Sequence, residues 1–267
     1  MKPKIAIIGC GWLGFPLAKK LIEQGFEVKG STTSVTKIDT LEKAGILPFQ
    51  ITISENEIVG DIDRLLHECE IAIVNIPPRL RKNPSSNYYQ KIDLLRSKIE
   101  DSTINKLLFI SSTSVYNNQN EVITEKTVLK PDTQIGKQLL DAEQLIKDSK
   151  NYETTILRYS GLIGPDRHPV KFLSGKNDLK NGNNPVNLVH LEDCIDVVFF
   201  IINNALWKDE FNIAYPDHPT RASYYIKAAR DRALALPIFQ KNVNSGGHKI
   251  ISSEKIQRLG FRFKKPI

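Results

Sequence analysis

Residues 4–18 run Lys-Ile-Ala-Ile-Ile-Gly-Cys-Gly-Trp-Leu-Gly-Phe-Pro-Leu-Ala, and no other stretch restricts the fold as much. Ile5 to Ile8 form a short apolar run, the pattern of a strand buried on both faces of a parallel sheet. The run breaks into Gly9-x-Gly11-x-x-Gly14, after which Leu17, Ala18, Leu21 and Ile22 recur at helical spacing. Strand, glycine turn and helix in that order are the context that a dinucleotide fingerprint requires. Gly9 allows the tight turn, Gly11 lets the backbone approach a pyrophosphate, and Gly14 lets the helix pack closely on the strand. Trp12 and Leu13 complete the turn, and the free N–H groups and dipole of the helix start face the phosphate charge. An ordinary glycine-rich turn has the same letters; the strand before it and the helix after it favour the cofactor.

The rest of the chain keeps the same alternation. Strands are predicted at 26–30, 47–53, 71–76, 106–110 and 154–158, with helices at 61–68, 88–100 and 134–147 between them. Pro77-Pro78 stops the fourth strand, because proline cannot continue a ladder, and a polar loop spans 79–87. Alternation at these lengths implies an α/β fold: a Rossmann-type, doubly wound parallel sheet with helices on both faces. After Gly164-Pro165 the pattern loosens into an irregular segment over 165–187, then a helix at 191–204, a strand at 210–214, a helix at 221–233 and a short tail. The expected organisation is a dinucleotide-binding domain over 1–165 and a smaller substrate-facing part over 166–267, some of which returns to the sheet. Ligands in such sheets sit at the carboxyl ends of the strands beside the switch point in strand order. Asn75, Ile76 and Pro77 at the end of the fourth strand, and Ser111 after the fifth, therefore belong with the glycine turn on the cofactor side.

Composition narrows the partners. No run approaches the length of a membrane span, and the chain opens straight into a strand without a signal-peptide pattern, so a cytoplasmic location is expected. Cys10, Cys69 and Cys194 are too few and too scattered for a disulfide framework or a zinc site, and no metal is expected. The net charge of +7 comes from basic residues that form no block, which favours an anionic small ligand over nucleic acid. The expected partner is a small-molecule substrate, the protein being a monomer or a homodimer.

Three later segments carry a family resemblance. Ser111-Ser112-Thr113-Ser114-Val115-Tyr116, Leu157-Arg158-Tyr159-Ser160-Gly161-Leu162-Ile163-Gly164-Pro165, and Asn187-Leu188-Val189-His190-Leu191-Glu192-Asp193 resemble motifs of the extended short-chain dehydrogenase/reductases. That family includes the nucleotide-sugar epimerases and dehydratases. The resemblance covers nearly the whole chain, although the family usually spaces its glycines GxxGxxG, and the variant here looks like the atypical members. The resemblance implies that Ser112 hydrogen-bonds the substrate's reacting oxygen. It also implies a Tyr acid/base with a Lys four residues later, the Lys lowering a phenol pKa of about 10. Aligning Gly136 and Glu143 on the family's YGxSKxxxE puts Ile135 at the Tyr position and Leu139 at the Lys position, so both side chains are missing. Lys137 points about 200° away from that stripe and reads as a surface charge, and pairing it with Thr133 needs a register shift.

Tyr116 is either a displaced acid or an aromatic that packs over the crevice. Arg167 and His168 sit where the family's substrate loop begins, where Arg suits a phosphate or carboxylate. Asp193 reads as ordering a helix start rather than doing chemistry. The second strand ends in Lys29-Gly30-Ser31-Thr32-Thr33-Ser34, with no acid before Asp39 to take a ribose 2′-OH. Hydroxyls of Ser31, Thr32 and Thr33, with the charge of Lys37, suit a 2′-phosphate, so NADP(H) is expected over NAD(H). Two functions fit: an oxidoreductase or epimerase with a non-standard acid/base, or a cofactor-binding sensor or scaffold without turnover.

Overall fold

Ile5, Ala6, Ile7 and Ile8 are all buried, as a central parallel strand covered on both faces requires. The computed structural model describes residues 2–78, 80, 83–240 and 247–267. Arg79, Arg81 and Lys82 of the loop predicted at 79–87 lie outside the described residues.

In chain order, β1 (Ile5–Ile8), α1 (Gly14–Glu23), β2 (Val28–Thr32), α2 (Ile38–Lys43) and β3 (Leu47–Gln50) come first. A hairpin of β4 (Thr52–Ile53) and β5 (Ile58–Val59) leads to α3 (Ile62–Leu66), β6 (Ile71–Val74), α4 (Tyr88–Glu100) and β7 (Lys106–Ser112). Then follow β8 (Glu121–Ile123), α5 (Gln134–Lys147), β9 (Glu153–Tyr159), β10 (Gly161–Ile163), β11 (Leu188–His190) and α6 (Leu191–Asn203). β12 (Glu210–Ile213), α7 (Arg221–Arg230), β13 (Lys249–Ile251) and α8 (Glu254–Arg258) close the described chain.

Seven strands form one sheet in the order β12-β9-β7-β6-β1-β2-β3, a parallel, Rossmann-type fold. β1 pairs in parallel with β2 on one side (Ile5 opposite Val28) and with β6 on the other (Ile5 opposite Ile71). Strand order reverses at β1, so the glycine turn leaves the sheet at its switch point.

The chain divides into two compact units. The first comprises Met1–Val115, Pro131–Arg158 and Ile195–Glu210, and the second Tyr116–Lys130, Tyr159–Cys194 and Phe211–Ile267. The core of the second unit gathers Ile163, Val170, Val186, Leu188, Tyr224 and Tyr225.

The strand predicted at 47–53 is two elements. Ser54 turns the chain back, its hydroxyl accepting the N–H groups of Asn56 and Glu57, so Thr52–Ile53 pairs antiparallel with Ile58–Val59. The second strand runs two residues further than the reading of 26–30, because its ladder with β3 continues to Thr32 opposite Gln50. α2 escapes the sequence because Leu41 is its one buried residue, which leaves no helical apolar stripe to read.

Candidate functional site

The glycine turn of the first unit is built from three different constraints. Gly9 has φ +109°, and a Cβ there would lie 2.5 Å from the Asn75 carbonyl oxygen. A Cβ on Gly14 would lie 2.1 Å from the Gly9 carbonyl oxygen. Gly11 has no positive φ, and a Cβ there would meet nothing within 4 Å. Ser31 Oγ accepts the Gly9 N–H at 2.9 Å, the Ser31 carbonyl accepts the Cys10 N–H at 2.7 Å, and Asn75 Nδ2 donates to the Gly9 carbonyl at 3.0 Å. β1, β2 and β6 thus hold the turn from both sides. No side chain caps the start of α1, and its first turn carries no acid. That helix end therefore keeps its positive dipole uncompensated. Tyr88 Oη donates to the Ile76 carbonyl at 2.8 Å and fixes the chain just before the exposed Pro77.

At the end of β2, Ser31 and Thr32 are buried while Thr33 and Lys37 are exposed. Thr32 Oγ1 accepts the Ser34 N–H at 3.2 Å. Ser31 and Thr32 each accept a backbone N–H and each still has a hydroxyl proton to give. Burial pushes the Cys10 thiol up to about 12, opposed by the charge of Lys37.

Ser112 ends β7 half-buried, its Oγ accepting the Ser114 N–H at 3.2 Å. The Ser111 hydroxyl is turned inward and donates to Glu143 on α5. Glu143 and Arg158 form a fully buried ion pair, Nη2 to Oε2 at 2.7 Å with Nε donating to both carboxylate oxygens, and Arg158 also meets Glu210. The sequence reading used Glu143 only to set an alignment. The signal was a lone acid on the stripe Leu139, Ala142, Glu143, Ile146, with a lone Arg in an otherwise uncharged strand interior. On α5 itself Leu139 is buried, Ile135 half-buried and Lys137 exposed, while Thr133 is the N-cap, accepting the Gly136 N–H at 3.1 Å.

In the second unit, Tyr116 is buried and its hydroxyl donates to Asn212 Oδ1 at 3.0 Å. Asp193 is also buried, but its carboxylate accepts the N–H groups of Lys264 and Lys265 at 2.8 and 3.1 Å, so it fastens the 264–265 segment. Arg167 is exposed on a tight turn closed by Gly164, whose N–H donates to the Arg167 carbonyl at 2.8 Å. His168 is buried: Nδ1 accepts the Val170 N–H at 3.2 Å and Nε2 meets Tyr224 Oη at 2.8 Å.

Burial, with the charges of Arg232 and Lys171, pushes His168 down to about 4. The unfolded chain, titrating near 6.5, takes up this proton first as pH falls, so the histidine's contribution is complete above about 6.5 and lost toward 4. Between pH 7 and 5 the loss is on the order of 2 kcal/mol. Urea midpoints at the two pH values, in wild type and His168→Gln, measure it; parallel shifts in both proteins would acquit the histidine.

Among the described residues, no group of three or more His, Cys, Asp or Glu is placed to hold a metal, and no helix is long and apolar enough to cross a membrane.

Comparison with known proteins adds the following. Residues 4–131 match the family model described as the NAD binding domain of 6-phosphogluconate dehydrogenase. The chain is 35% identical to protein YeeZ of Escherichia coli K12, covering 98% of this chain and 96% of that one. Among solved structures, the UDP-Glc/GlcNAc 4-epimerase of Campylobacter jejuni superposes with a TM-score of 0.83 at 16% identity, over 100% of this chain and 95% of that one. The UDP-glucose 4-epimerase of Thermotoga maritima gives 0.80 at 18% identity, over 98% and 94%. At these identities the likeness is one of fold.

Proposed function

This chain belongs to the family of the Escherichia coli protein YeeZ, and from that premise we propose that it is a cytoplasmic dinucleotide-binding protein with an altered epimerase/dehydratase-type active site. One observation carries the reading. Gly9 and Gly14 are demanded by the protein's own packing, whereas Gly11 is demanded by nothing in the protein. A missing side chain over open space, next to an uncapped helix start, is what a pyrophosphate requires. Gly9, Gly11, Trp12, Leu13 and Gly14 form the cradle, with Asn75, Ile76, Pro77 and Ser111 at the neighbouring strand ends. The bound nicotinamide would supply hydride chemistry. Ser112 is the group we assign to the substrate's reacting oxygen. The Tyr116 hydroxyl is already given to Asn212, which favours its packing role.

With Ile135 and Leu139 at the acid/base positions, no standard proton donor faces the nicotinamide. The fold of nucleotide-sugar epimerases supports a nucleotide-linked small-molecule substrate, taken by the loop that carries Arg167 and His168. The burial of Leu139 favours a second reading, a cofactor-binding sensor or scaffold with no turnover.

NADP(H) is the cofactor we assign. Thr33 and Lys37 are exposed just after β2, the hydroxyls of Ser31 and Thr32 lie beside Thr33 in sequence, and no acid stands between the end of β2 and Asp39. Fluorescence titration should give NADPH at least about 10-fold tighter binding than NADH, the worth of one charge-assisted contact. Equal or tighter NADH binding would overturn the preference, and binding of neither would overturn the whole reading.

A further inference from the structure

The second unit encloses a cleft of about 590 Å³, within the usual size of small-molecule sites, lined among others by Pro165, His168, His190, Asp217, Tyr224 and Arg232. His168 Nδ1 accepts a backbone N–H, so the neutral ring carries its proton on Nε2 and donates it to Tyr224 Oη. Having accepted, the Tyr224 hydroxyl must give its own proton elsewhere, and among the described residues no protein acceptor takes it. His190 repeats the arrangement: Nδ1 accepts the Glu192 N–H at 3.2 Å, which leaves Nε2–H as a donor. Arg232 spends Nη1 on the Ala228 carbonyl at 3.2 Å and keeps the other arm of its fork. Its charge acts on both His168 and Tyr224, Lys171 acts on His168 as well, and no carboxylate figures among the charges acting on either. Of the two acids on the cleft, Asp231 is paired with Lys227 at 2.6 Å, and Asp217 is exposed at the rim and is not among the charges acting on His168 or Tyr224. The floor therefore offers donors and positive charge, and calls for a ligand that brings acceptors and negative charge.

We propose that this cleft binds a small molecule through an oxyanion, a phosphate or a carboxylate, held by the Arg232 guanidinium and the Tyr224 hydroxyl, with His168 positioning Tyr224. The inference rests on the reading of the Arg167–His168 loop as substrate-facing, and needs nothing from the glycine turn.

The probes are inorganic phosphate and malonate, titrated calorimetrically into Gly11→Val, which silences the pyrophosphate cradle, and into wild type saturated with NADPH as a second background. One or both should bind, and the stronger identifies the anion. Arg232→Ala should weaken that binding about 10-fold and Tyr224→Phe several-fold, as expected for a lost hydrogen bond to a charged group. His168→Gln, whose amide can still donate, should retain binding that His168→Leu loses. Binding of neither probe in either background, or binding indifferent to Arg232 and Tyr224, overturns the proposal. NADPH titration of wild type and Arg232→Ala reports the dinucleotide reading separately, and its failure would leave the cleft standing.

Discussion

Gly11→Val should fold normally and lose NADPH binding by roughly 10²–10⁴-fold, while Gly14→Val should fail to fold. The contrast comes from what each new side chain meets. At Gly14 the Cβ would sit 2.1 Å from a backbone oxygen of the turn. Backbone cannot rotate away as a flexible side chain can, so helix and strand would have to separate. Overpacking alone costs about 1–3 kcal/mol and more where nothing yields. At Gly11 the new atoms enter solvent, and the backbone has no positive φ to strain. What they displace is the ligand: two charge-assisted hydrogen bonds from the turn to a pyrophosphate account for the expected loss. Thermal melts followed by circular dichroism, with NADPH titration of the folded variant, measure both halves. Unchanged NADPH affinity in a folded Gly11→Val protein would move the cofactor elsewhere.

Turnover is the second large effect. On the proposed alignment, which puts Ile135 and Leu139 at the acid/base positions, wild type should convert nucleotide sugars about 10²–10⁴-fold more slowly than the usual 1–10³ s⁻¹, the typical cost of a missing positioned acid/base. Ile135→Tyr with Leu139→Lys should raise that rate. Ile135 is half-buried, whereas Leu139 is buried, so a lysine at 139 costs more desolvation than a tyrosine at 135. The single Ile135→Tyr variant is therefore the safer first step, with folding checked for both. An ordinary wild-type rate, left intact by Ser112→Ala, would refute the assignment and turn attention to Thr133 and Lys137.

Legibility followed the range of the interactions. α4 and α5 begin and end where the sequence predicts, because Asn87 and Thr133 cap them locally through the N–H groups of Gln90 and Gly136. The Rossmann-type fold class was readable because buried parallel strands are unbroken apolar runs alternating with helices. The β4–β5 hairpin was not, since its turn rests on Ser54 within a polar stretch that reads as the close of a strand. In the candidate site, the glycine turn was legible because its spacing falls between an apolar strand and a helical stripe, all within one short stretch. The inward turn of the Ser111 hydroxyl, the Tyr116–Asn212 bond and the fastening of the 264–265 segment by Asp193 join residues 32, 96 and 71 positions apart. No local pattern encodes such pairs.

The Glu143–Arg158 pair bears on how this chain could change. Removing either member alone would strand a buried charge, at a cost of about 3–5 kcal/mol. The two positions can therefore be exchanged only together, and together they fasten α5 in its present rotation, Glu143 through Arg158 on β9 and through Ser111 at the end of β7. Positions 135 and 139, which the proposed alignment assigns to the acid/base pair, therefore sit on a helix held by contacts that involve neither of them. Exchanging the side chains at those two positions leaves those contacts untouched.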